Sequence, residues 1–172
     1  MQQIVTSYYS CPCGELILGS LGDKLCLCDW VSRRNRSTID KRIQRVLKAE
    51  YTEGTSAIIE TAKKQLDEYF QGKRKTFSIS LLFAGTDFQK QVWQQLTLIP
   101  YGETYSYLQL AKTLGTPNSV RAVANANGAN SISIIAACHR IIGSNGTLTG
   151  YAGGLDTKHF LLTLETANKD TF

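Results

Sequence analysis

Three consecutive residues, Cys138, His139 and Arg140, carry the chemistry that the rest of the chain must position. A thiol becomes a useful nucleophile when a neighbouring base or positive charge depresses its pKa. The three residues lie within an apolar stretch, 133–142, that is typical of a buried strand. A buried cysteine is often only a small packed hydrophobe, but an adjacent imidazole and guanidinium favour reactivity. We therefore predict a nucleophilic cysteine at the end of a buried strand.

The composition limits the class of protein. The chain has 172 residues, 42% of them hydrophobic and 19% charged, which is typical of a globular protein. It shows neither an apolar run long enough to cross a bilayer nor a secretory signal, so we expect a cytoplasmic protein that does not associate with membranes. The net charge of +5 permits a polyanionic partner without requiring one.

The cysteines leave two interpretations open. Five cysteines in a cytosolic chain argue against a disulfide framework. Four of them form two Cys-x-Cys pairs that could hold a structural zinc ion. However, structural zinc sites commonly use longer spacings, and alternate residues of a strand share one face for packing alone. The four residues are Cys11, Cys13, Cys26 and Cys28.

The pattern of turns and apolar residues predicts an α+β fold with two domains. Residues 1–84 form a small N-terminal α/β domain with a short antiparallel sheet, and residues 85–172 form a mostly helical C-terminal domain. In the first domain we predict strands over 3–9, 15–20, 24–30 and 77–82, and helices over 38–50 and 55–71.

Helix start signals organise the second domain. Thr86 with Gln89, and Ser106 with Gln109, match the capping box that opens a helix. Thr116 precedes Pro117, a favoured first helical residue, so we predict a third helix from there. Two short helices joined by a turn that contains glycine are typical of a helix-turn-helix.

The remaining segments of this domain are expected to surround the thiol. The asparagine-rich stretch 125–130 predicts a tight loop, and the glycine-rich stretch 143–154 predicts a loop over the site. Asp156 is expected to cap a final helix with Phe160, Leu161 and Leu164 facing inward. Glu165 falls in its last turn, where the helix dipole disfavours a carboxylate, and this suggests a functional role.

The motifs at their spacings resemble the O6-alkylguanine-DNA alkyltransferases. The resemblance extends over residues 86–165, and residues 1–84 share the family's order of strands and helices, which implies a ribonuclease H-like domain. It is carried by Thr86–Trp93, Ile99–Tyr107, Arg121-Ala-Val, Ala126-Asn127-Gly128 with Asn130, Cys138-His139-Arg140 and Gly150-Tyr-Ala-Gly-Gly.

This resemblance implies a DNA repair protein that flips O6-alkylguanine, or O4-alkylthymine, out of duplex DNA. It would transfer the alkyl group irreversibly to Cys138, once per chain, as a methylated-DNA–protein-cysteine methyltransferase. Adjacent side chains of an extended chain point to opposite faces, so the family's water bridge between His139 and the thiol is geometrically reasonable. The resemblance implies no cofactor, and we expect a monomer.

The resemblance also implies residue roles. His139 would deprotonate the thiol and Glu165 would orient the imidazole, while Tyr107 would protonate the leaving guanine and Asn130 would fix the loop beside Cys138. Each of these side chains taken alone is as readily explained by packing, capping or a surface position. The implied DNA contacts are Arg121, Tyr107, Ser106, Arg140 and Tyr151.

Three departures from the family pattern bear on the reaction. Ala137 and Ser131 stand where prolines are usual, and Ala124 replaces a usual glycine. Since proline fixes φ and removes an amide donor, we hypothesise that transfer is slower here or that the pocket accepts bulkier adducts. Two alternatives are a non-catalytic alkyl-lesion binder or helix-turn-helix regulator, and a cysteine hydrolase. Cys138 with His139 argues against the first, and the adjacency of the two residues argues against the second.

Overall fold

Four strands and two helices form the first of two units into which the chain divides after Gly85. The computed structural model describes residues 1–170. The sheet order is β3-β2-β1-β4, with β1–β2 and β2–β3 antiparallel and β1–β4 parallel, which confirms the α+β class and the first three predicted strands. The elements are β1 (Gln2–Cys11), β2 (Gly14–Leu21), β3 (Lys24–Trp30), α1 (Arg36–Leu47), β4 (Ala49–Glu53) and α2 (Ala57–Phe70).

Both helices of this unit bury an apolar stripe. The Ser56 side chain caps α2 by accepting a hydrogen bond from the Ile59 amide at 3.2 Å. Helix α1 contributes Ile39 and Ile43 to a core cluster that includes Ile4 of β1. The buried side chains of α2 are Ile59, Ala62, Gln65, Leu66 and Tyr69.

Two local predictions for this unit were wrong. The stretch 77–82 is not a strand, because Leu81 makes only a single bridge to Leu25. Helix α1 ends at Leu47, because the next residue, Lys48, adopts a left-handed conformation with φ +51. The helix predicted over 38–50 therefore extended wrongly into β4. The sequence of β4, Ala-Glu-Tyr-Thr-Glu, lacks an apolar alternation because this edge strand keeps its glutamates in solvent.

A buried ion cluster joins β3 to α1. Asp29 Oδ2 accepts hydrogen bonds from Nη1 of Arg33 at 2.8 Å and from Nη1 of Arg36 at 2.9 Å. Arg36 also donates through Nε and Nη2 to Asp40, at 3.1 and 3.0 Å. The Tyr51 hydroxyl donates to Asp40 at 2.7 Å. We refer to these five residues as the Asp29 cluster.

The four N-terminal cysteines do not share one environment. Cys11 and Cys13 lie at the β1–β2 turn, half-buried, with their Sγ atoms 3.8 Å apart. Cys26 is buried and its thiol donates to the Gly19 carbonyl, and Cys28 is buried as well. Among residues 1–170 no group of three or more histidine, cysteine or acidic side chains is placed to hold a metal ion.

The second unit, which begins at Thr86, is mostly helical. Both predicted capping boxes are present, with the Thr86 and Ser106 hydroxyls accepting from the amides of Gln89 and Gln109. No helix in the described part of the chain is long and apolar enough to cross a membrane. The elements are α3 (Asp87–Leu96), β5 (Tyr105–Ser106), α4 (Tyr107–Thr113), α5 (Val120–Gly128), β6 (Ile141–Ile142) and α6 (Leu155–Asn168).

The helix-turn-helix consists of α4 and α5, but the limits of α5 differ from the prediction. Helix α5 begins at Val120, not at Pro117, and it continues through Gly128, so most of the expected 125–130 loop is helical. Tertiary packing overrides the turn preference of the asparagines, because Val123, Ala126 and Asn127 of α5 are buried.

The start of α6 also differs from the prediction. Gly154, with φ +91, is the residue before the first turn, and Asp156 lies within that turn without capping it. Phe160, predicted to face inward, is 37% exposed, whereas Leu161 is fully buried. The buried stripe of α6 therefore runs along a different face from the one that its most apolar residues suggested.

Candidate active site

Residues 133–141 are buried and Ile142 is half-buried, but the stretch 133–142 is not the strand that its apolar residues predicted. Cys138–Arg140 form one turn of 3-10 helix, and only Ile141–Ile142 pair as a strand, with β5. The rule that neighbouring side chains of an extended chain point in opposite directions therefore does not apply to Cys138 and His139. The apolar run correctly predicts that these residues are buried, but their backbone forms turns rather than a strand.

Two tight turns bring the chain to the thiol. They are centred on Ile134 and Ala137, and in each a hydrogen bond of 2.8 Å joins the residues on either side of the centre. Ile134 has φ +71, a conformation that is costly for a β-branched residue. Its side chain is 1% exposed, so close packing holds this backbone in place.

Asn130 organises the same segment from within. Its Oδ1 accepts from the Ile132 amide at 3.0 Å, and its Nδ2 donates to the Ala136 carbonyl at 2.9 Å. The same Nδ2 lies 3.2 Å from Sγ of Cys138. The Asn130 side chain therefore supplies hydrogen bonds that a neighbouring strand would otherwise make to this backbone. It also places a donor beside the sulfur, where it stabilises a thiolate.

Glu165 of α6 holds the two residues that follow the cysteine. Its Oε2 lies 2.7 Å from Nε2 of His139, and Arg140 donates through Nε to Oε1 at 2.8 Å and through Nη2 to Oε2 at 3.0 Å. Arg140 also donates through Nη1 to the Ile99 carbonyl at 2.5 Å. The Gly102 amide donates to Oε1 of Glu165 at 3.3 Å. We refer to Glu165, His139 and Arg140 as the Glu165 cluster.

The charges of this cluster determine which histidine nitrogen can act as a base. Burial opposes ionisation of Glu165, but His139 and Arg140 hold the pKa of that carboxyl well below its usual value. Complete burial lowers the pKa of His139 despite the attraction of Glu165, so the imidazole is neutral at pH 7. A neutral ring that donates from Nε2 to Glu165 presents Nδ1 as its acceptor. Within residues 1–170 this buried Nδ1 has no hydrogen-bond partner.

Lys158 is a site residue that the sequence analysis missed. It is fully buried, and its Nζ donates to the carbonyls of Ile141 at 2.5 Å and Thr149 at 3.1 Å. Burial lowers the pKa of Lys158, and the negative charge of a Cys138 thiolate opposes that shift. Spacing could have revealed it, because Lys158, Leu161 and Glu165 recur at the interval of one helix face.

Tyr107 lies at the junction of β5 and α4. Its hydroxyl is 2.8 Å from Oγ1 of Thr149, in the loop between β6 and α6. Ser106 both pairs with Ile142 across β5–β6 and caps α4. Tyr107 is half-buried, so its hydroxyl is held by Thr149 while part of the side chain remains exposed.

The predicted DNA contacts fall into two groups. Arg121 is exposed on α5, and Ser106, Tyr107 and Tyr151 are partly exposed. Arg140 is 5% exposed and binds Glu165, so the structure places it within the Glu165 cluster, and its contact with DNA stays a prediction. The 3-10 turn directs this guanidinium towards α6 and the Ile99 carbonyl.

Both halves of the chain match known family models. Residues 4–83 match the model described as "6-O-methylguanine DNA methyltransferase, ribonuclease-like domain", and residues 87–167 match that of the DNA binding domain. The chain is 51% identical over 157 residues to the methylated-DNA–protein-cysteine methyltransferase of Methanosarcina barkeri, covering 91% of this chain and 94% of the relative. It is 43% identical over 160 residues to the constitutive Bacillus subtilis protein of that name, covering 90% of each.

Solved structures agree with these matches. The crystal structure of Mycobacterium tuberculosis OGT in complex with DNA superposes with a TM-score of 0.82 at 38% identity, covering 96% of this chain and 94% of that one. A crystal structure of the O6-methylguanine methyltransferase from the same organism gives a TM-score of 0.79 at 38% identity, covering 98% and 94%.

Proposed function

Because the chain belongs to the 6-O-methylguanine DNA methyltransferase family, we propose that it repairs duplex DNA by moving an alkyl group from O6 of guanine to its own Cys138. The observation that carries this proposal is the placement of the thiol. Sγ of Cys138 lies beside the Asn130 amide, and the neighbouring His139 is held by Glu165 with one nitrogen left to accept a proton.

The first step is removal of the thiol proton. His139 Nδ1 makes no direct hydrogen bond to Cys138, so a bridging water carries the thiol proton to it, and the imidazolium that forms is stabilised by Glu165 at 2.7 Å. The Asn130 amide and the buried ammonium of Lys158 stabilise the thiolate. A neutral imidazole is the correct starting state for this step, and burial of His139 favours it.

The second step is displacement at carbon. The thiolate attacks the alkyl carbon, the S–C bond forms, and the C–O6 bond breaks with its electron pair on guanine. Tyr107 supplies a proton to the departing base, and the proton that left Cys138, held on His139, balances the charge of the tyrosinate that remains. The product thioether has no route back to a thiol in this site, so each chain acts once.

Access to O6 requires the nucleotide to leave the base stack. Exposed Arg121 on α5 is suited to fill the vacated space, and half-buried Tyr151 is suited to line the pocket. Backbone and shape contacts with little base readout suit a repair protein, since lesions occur in any sequence. Five cysteines present as thiols are compatible with a cytoplasmic location, which is part of this proposal.

Intact mass spectrometry tests the proposal directly. The protein is incubated with duplex DNA that contains O6-methylguanine, and with the same duplex unmodified as a control. We expect a gain of one methylene per chain, mapped by peptide digestion to Cys138, and no gain in the Cys138→Ser variant. Tight lesion binding without any mass gain would instead indicate a damage-recognition protein, and it would overturn the transfer mechanism.

A further inference from the structure

The β1–β2 hairpin carries a pair of thiols that alkyl transfer does not use. Cys11 is the last residue of β1 and pairs with Gly14, so Cys13 lies in a two-residue turn. The two Sγ atoms are 3.8 Å apart, and the Cys11 thiol also donates to the Gly14 carbonyl at 3.2 Å. Both side chains are half-buried, whereas the other three cysteines are buried. Two thiols thus touch each other within reach of solvent.

The pair is chemically asymmetric. A hydrogen bond from the Cys13 thiol, together with backbone hydrogen bonds from Cys13 and Gly14, outweighs burial and lowers the pKa of Cys11 to about 7. The same contact raises the pKa of Cys13. At neutral pH Cys11 is therefore partly ionised beside a protonated Cys13, which is the arrangement of an attacking and a resolving cysteine.

We propose that Cys11 and Cys13 form a redox-sensitive site that small-molecule disulfides oxidise to an intramolecular disulfide. The Cys11 thiolate attacks one sulfur of the oxidant and releases one thiolate. Cys13 then loses its proton and attacks Sγ of Cys11, which releases the second. Counted from two thiols, the cysteines lose two electrons and two protons, and the oxidant becomes two thiols.

Geometry makes this bond reversible. The Sγ atoms must approach from 3.8 Å to about 2.05 Å, with only Pro12 between the two residues. A disulfide in so small a ring is strained, and strained disulfides are the readily reduced ones. The hairpin tip is consequently suited to react before the buried thiols and to be restored by a dithiol reductant.

Peptide mapping after treatment with glutathione disulfide tests this proposal. The full chain is oxidised, its remaining thiols are alkylated, and the digest is followed over time. We expect the hairpin peptide to lose two hydrogens before Cys26, Cys28 or Cys138 reacts, and dithiothreitol to reverse the change. Cys13→Ser should stop at a glutathione adduct on Cys11, and Cys11→Ser should prevent both products.

Two results would overturn the proposal. One is a lasting glutathione adduct on Cys11 in the parent protein, which would show that Cys13 does not resolve it. The other is reaction of the buried cysteines as fast as the hairpin pair. Circular dichroism of both serine variants verifies that the fold is retained, and neither variant should change alkyl transfer, because these residues lie outside the proposed site.

A different set of contacts, around Tyr107, carries a second inference that rests on the proposed function. The Tyr107 hydroxyl lies 2.8 Å from Oγ1 of Thr149. Each side of this contact is anchored to the β5–β6 pair, since Ser106 of β5 caps the helix of Tyr107 and Lys158 joins the Thr149 carbonyl to that of Ile141 in β6. Both partners of the Tyr107–Thr149 hydrogen bond are therefore fixed relative to the β5–β6 pair.

We infer that Thr149 is a positioning residue for proton transfer from Tyr107. When the phenol proton passes to the leaving guanine, negative charge develops on the Tyr107 oxygen. The Thr149 hydroxyl donates to that oxygen and keeps its own proton, so the proton count of the reaction is unchanged. Interactions that strengthen as charge develops accelerate the chemical step more than they strengthen binding.

Single-turnover kinetics with lesion-containing duplex tests this role. We expect Thr149→Val to lower the saturating transfer rate constant about tenfold, the effect of one hydrogen bond to a developing charge. The half-saturating DNA concentration should not change, and Thr149→Ser should restore most of the rate. In a Tyr107→Phe background the valine substitution should have no further effect.

The outcomes separate this inference from the function on which it rests. A parent protein that transfers no methyl group would contradict the proposed function. If Thr149→Val transferred as fast as the parent, only the role of Thr149 would be contradicted. The same would follow if the valine substitution lowered the transfer rate constant equally in the parent and in the Tyr107→Phe background.

Discussion

The two units each bury a carboxylate between two basic side chains, yet the clusters differ in the hydrogen bonds that those basic side chains make. In the Asp29 cluster two arginines bind one oxygen of Asp29, and Arg36 continues to Asp40. In the Glu165 cluster Arg140 neutralises Glu165, and His139 is held through Nε2 alone. The buried Nδ1 of His139 has no hydrogen-bond partner in residues 1–170.

This difference shows how one arrangement serves either stability or chemistry. Guanidinium groups remain charged at any physiological pH, so the Asp29 cluster cannot exchange a proton. Replacing one guanidinium by an imidazole introduces a group that titrates near neutrality. Complete burial, helped by the positive charge of Arg140, lowers the pKa of His139, so this residue stays neutral and can serve as a base for Cys138.

Glu165→Gln should break the second cluster and produce the largest effect. We expect the transfer rate constant to fall about 100-fold, because the imidazolium loses its stabilising charge. We also expect stability to fall by about 3 kcal/mol, because Arg140 remains buried without a counter-charge. Single-turnover transfer and urea denaturation measure the two effects, and unchanged transfer would contradict the role of Glu165.

Asp29→Asn is the matched test in the first cluster. It should also cost about 3 kcal/mol, since Arg33 and Arg36 lose a buried carboxylate. The transfer rate constant of the folded protein should equal that of the parent. A loss of transfer comparable with that of Glu165→Gln would contradict the contrast between the two clusters.

The pH dependence of stability should distinguish the clusters further. The folded pKa of His139 lies below its ordinary 6.5, so the unfolded chain binds this proton first and stability falls as pH decreases below about 6.5. The depressed pKa of Glu165 acts in the same direction below about pH 4.3, where the unfolded carboxyl protonates. Urea midpoints measured from about pH 8 to 5 should fall for the parent and for Asp29→Asn. His139→Gln should remove the part of this slope near pH 6, and retention of the full slope would refute the assignment.

The smallest effect should come from Ala137→Pro, which tests how rigidly the chain approaches Cys138. The φ of Ala137, −79°, suits proline, but its amide donates to the Leu96 carbonyl at 3.3 Å and proline would lose that bond. The two effects oppose each other, so stability should change by less than about 1 kcal/mol. If the absence of proline slows the reaction, the transfer rate should rise by about threefold, within the range of modest preorganisation effects. An equal rate would contradict our hypothesis about this departure.

Local signals predicted the local structure well. Both capping boxes begin helices where the sequence indicates, because the donor and acceptor lie three residues apart. The β1–β2–β3 hairpins follow from turn residues and alternation. Cys138, His139, Glu165 and Asn130 are all singled out by the sequence, and the structure brings them together.

Features that depend on distant residues could not be predicted in this way. Strand β4 is a strand because β1 lies beside it, and the 133–142 segment is irregular because the Asn130 side chain replaces strand partners. The position of Arg140 depends on Glu165 and on the Ile99 carbonyl, which lies 41 positions away. The role of Thr149, a loop hydroxyl, depends on its contact with Tyr107 and could not be predicted, whereas Lys158 shares a helix face with Leu161 and Glu165 and could have been.

The contacts of Glu165 also have a consequence for the order in which the protein folds. Its partners His139 and Arg140 lie 26 and 25 positions away, and Gly102 lies 63 positions away. Docking of α6 is therefore a non-local step, which loop closure makes slow relative to the formation of α3, α4 and α5. Until α6 docks, His139 has no carboxylate to orient it, so Cys138 remains a weak nucleophile. A cysteine that reacts once thereby acquires its full nucleophilicity only when the fold around it is complete.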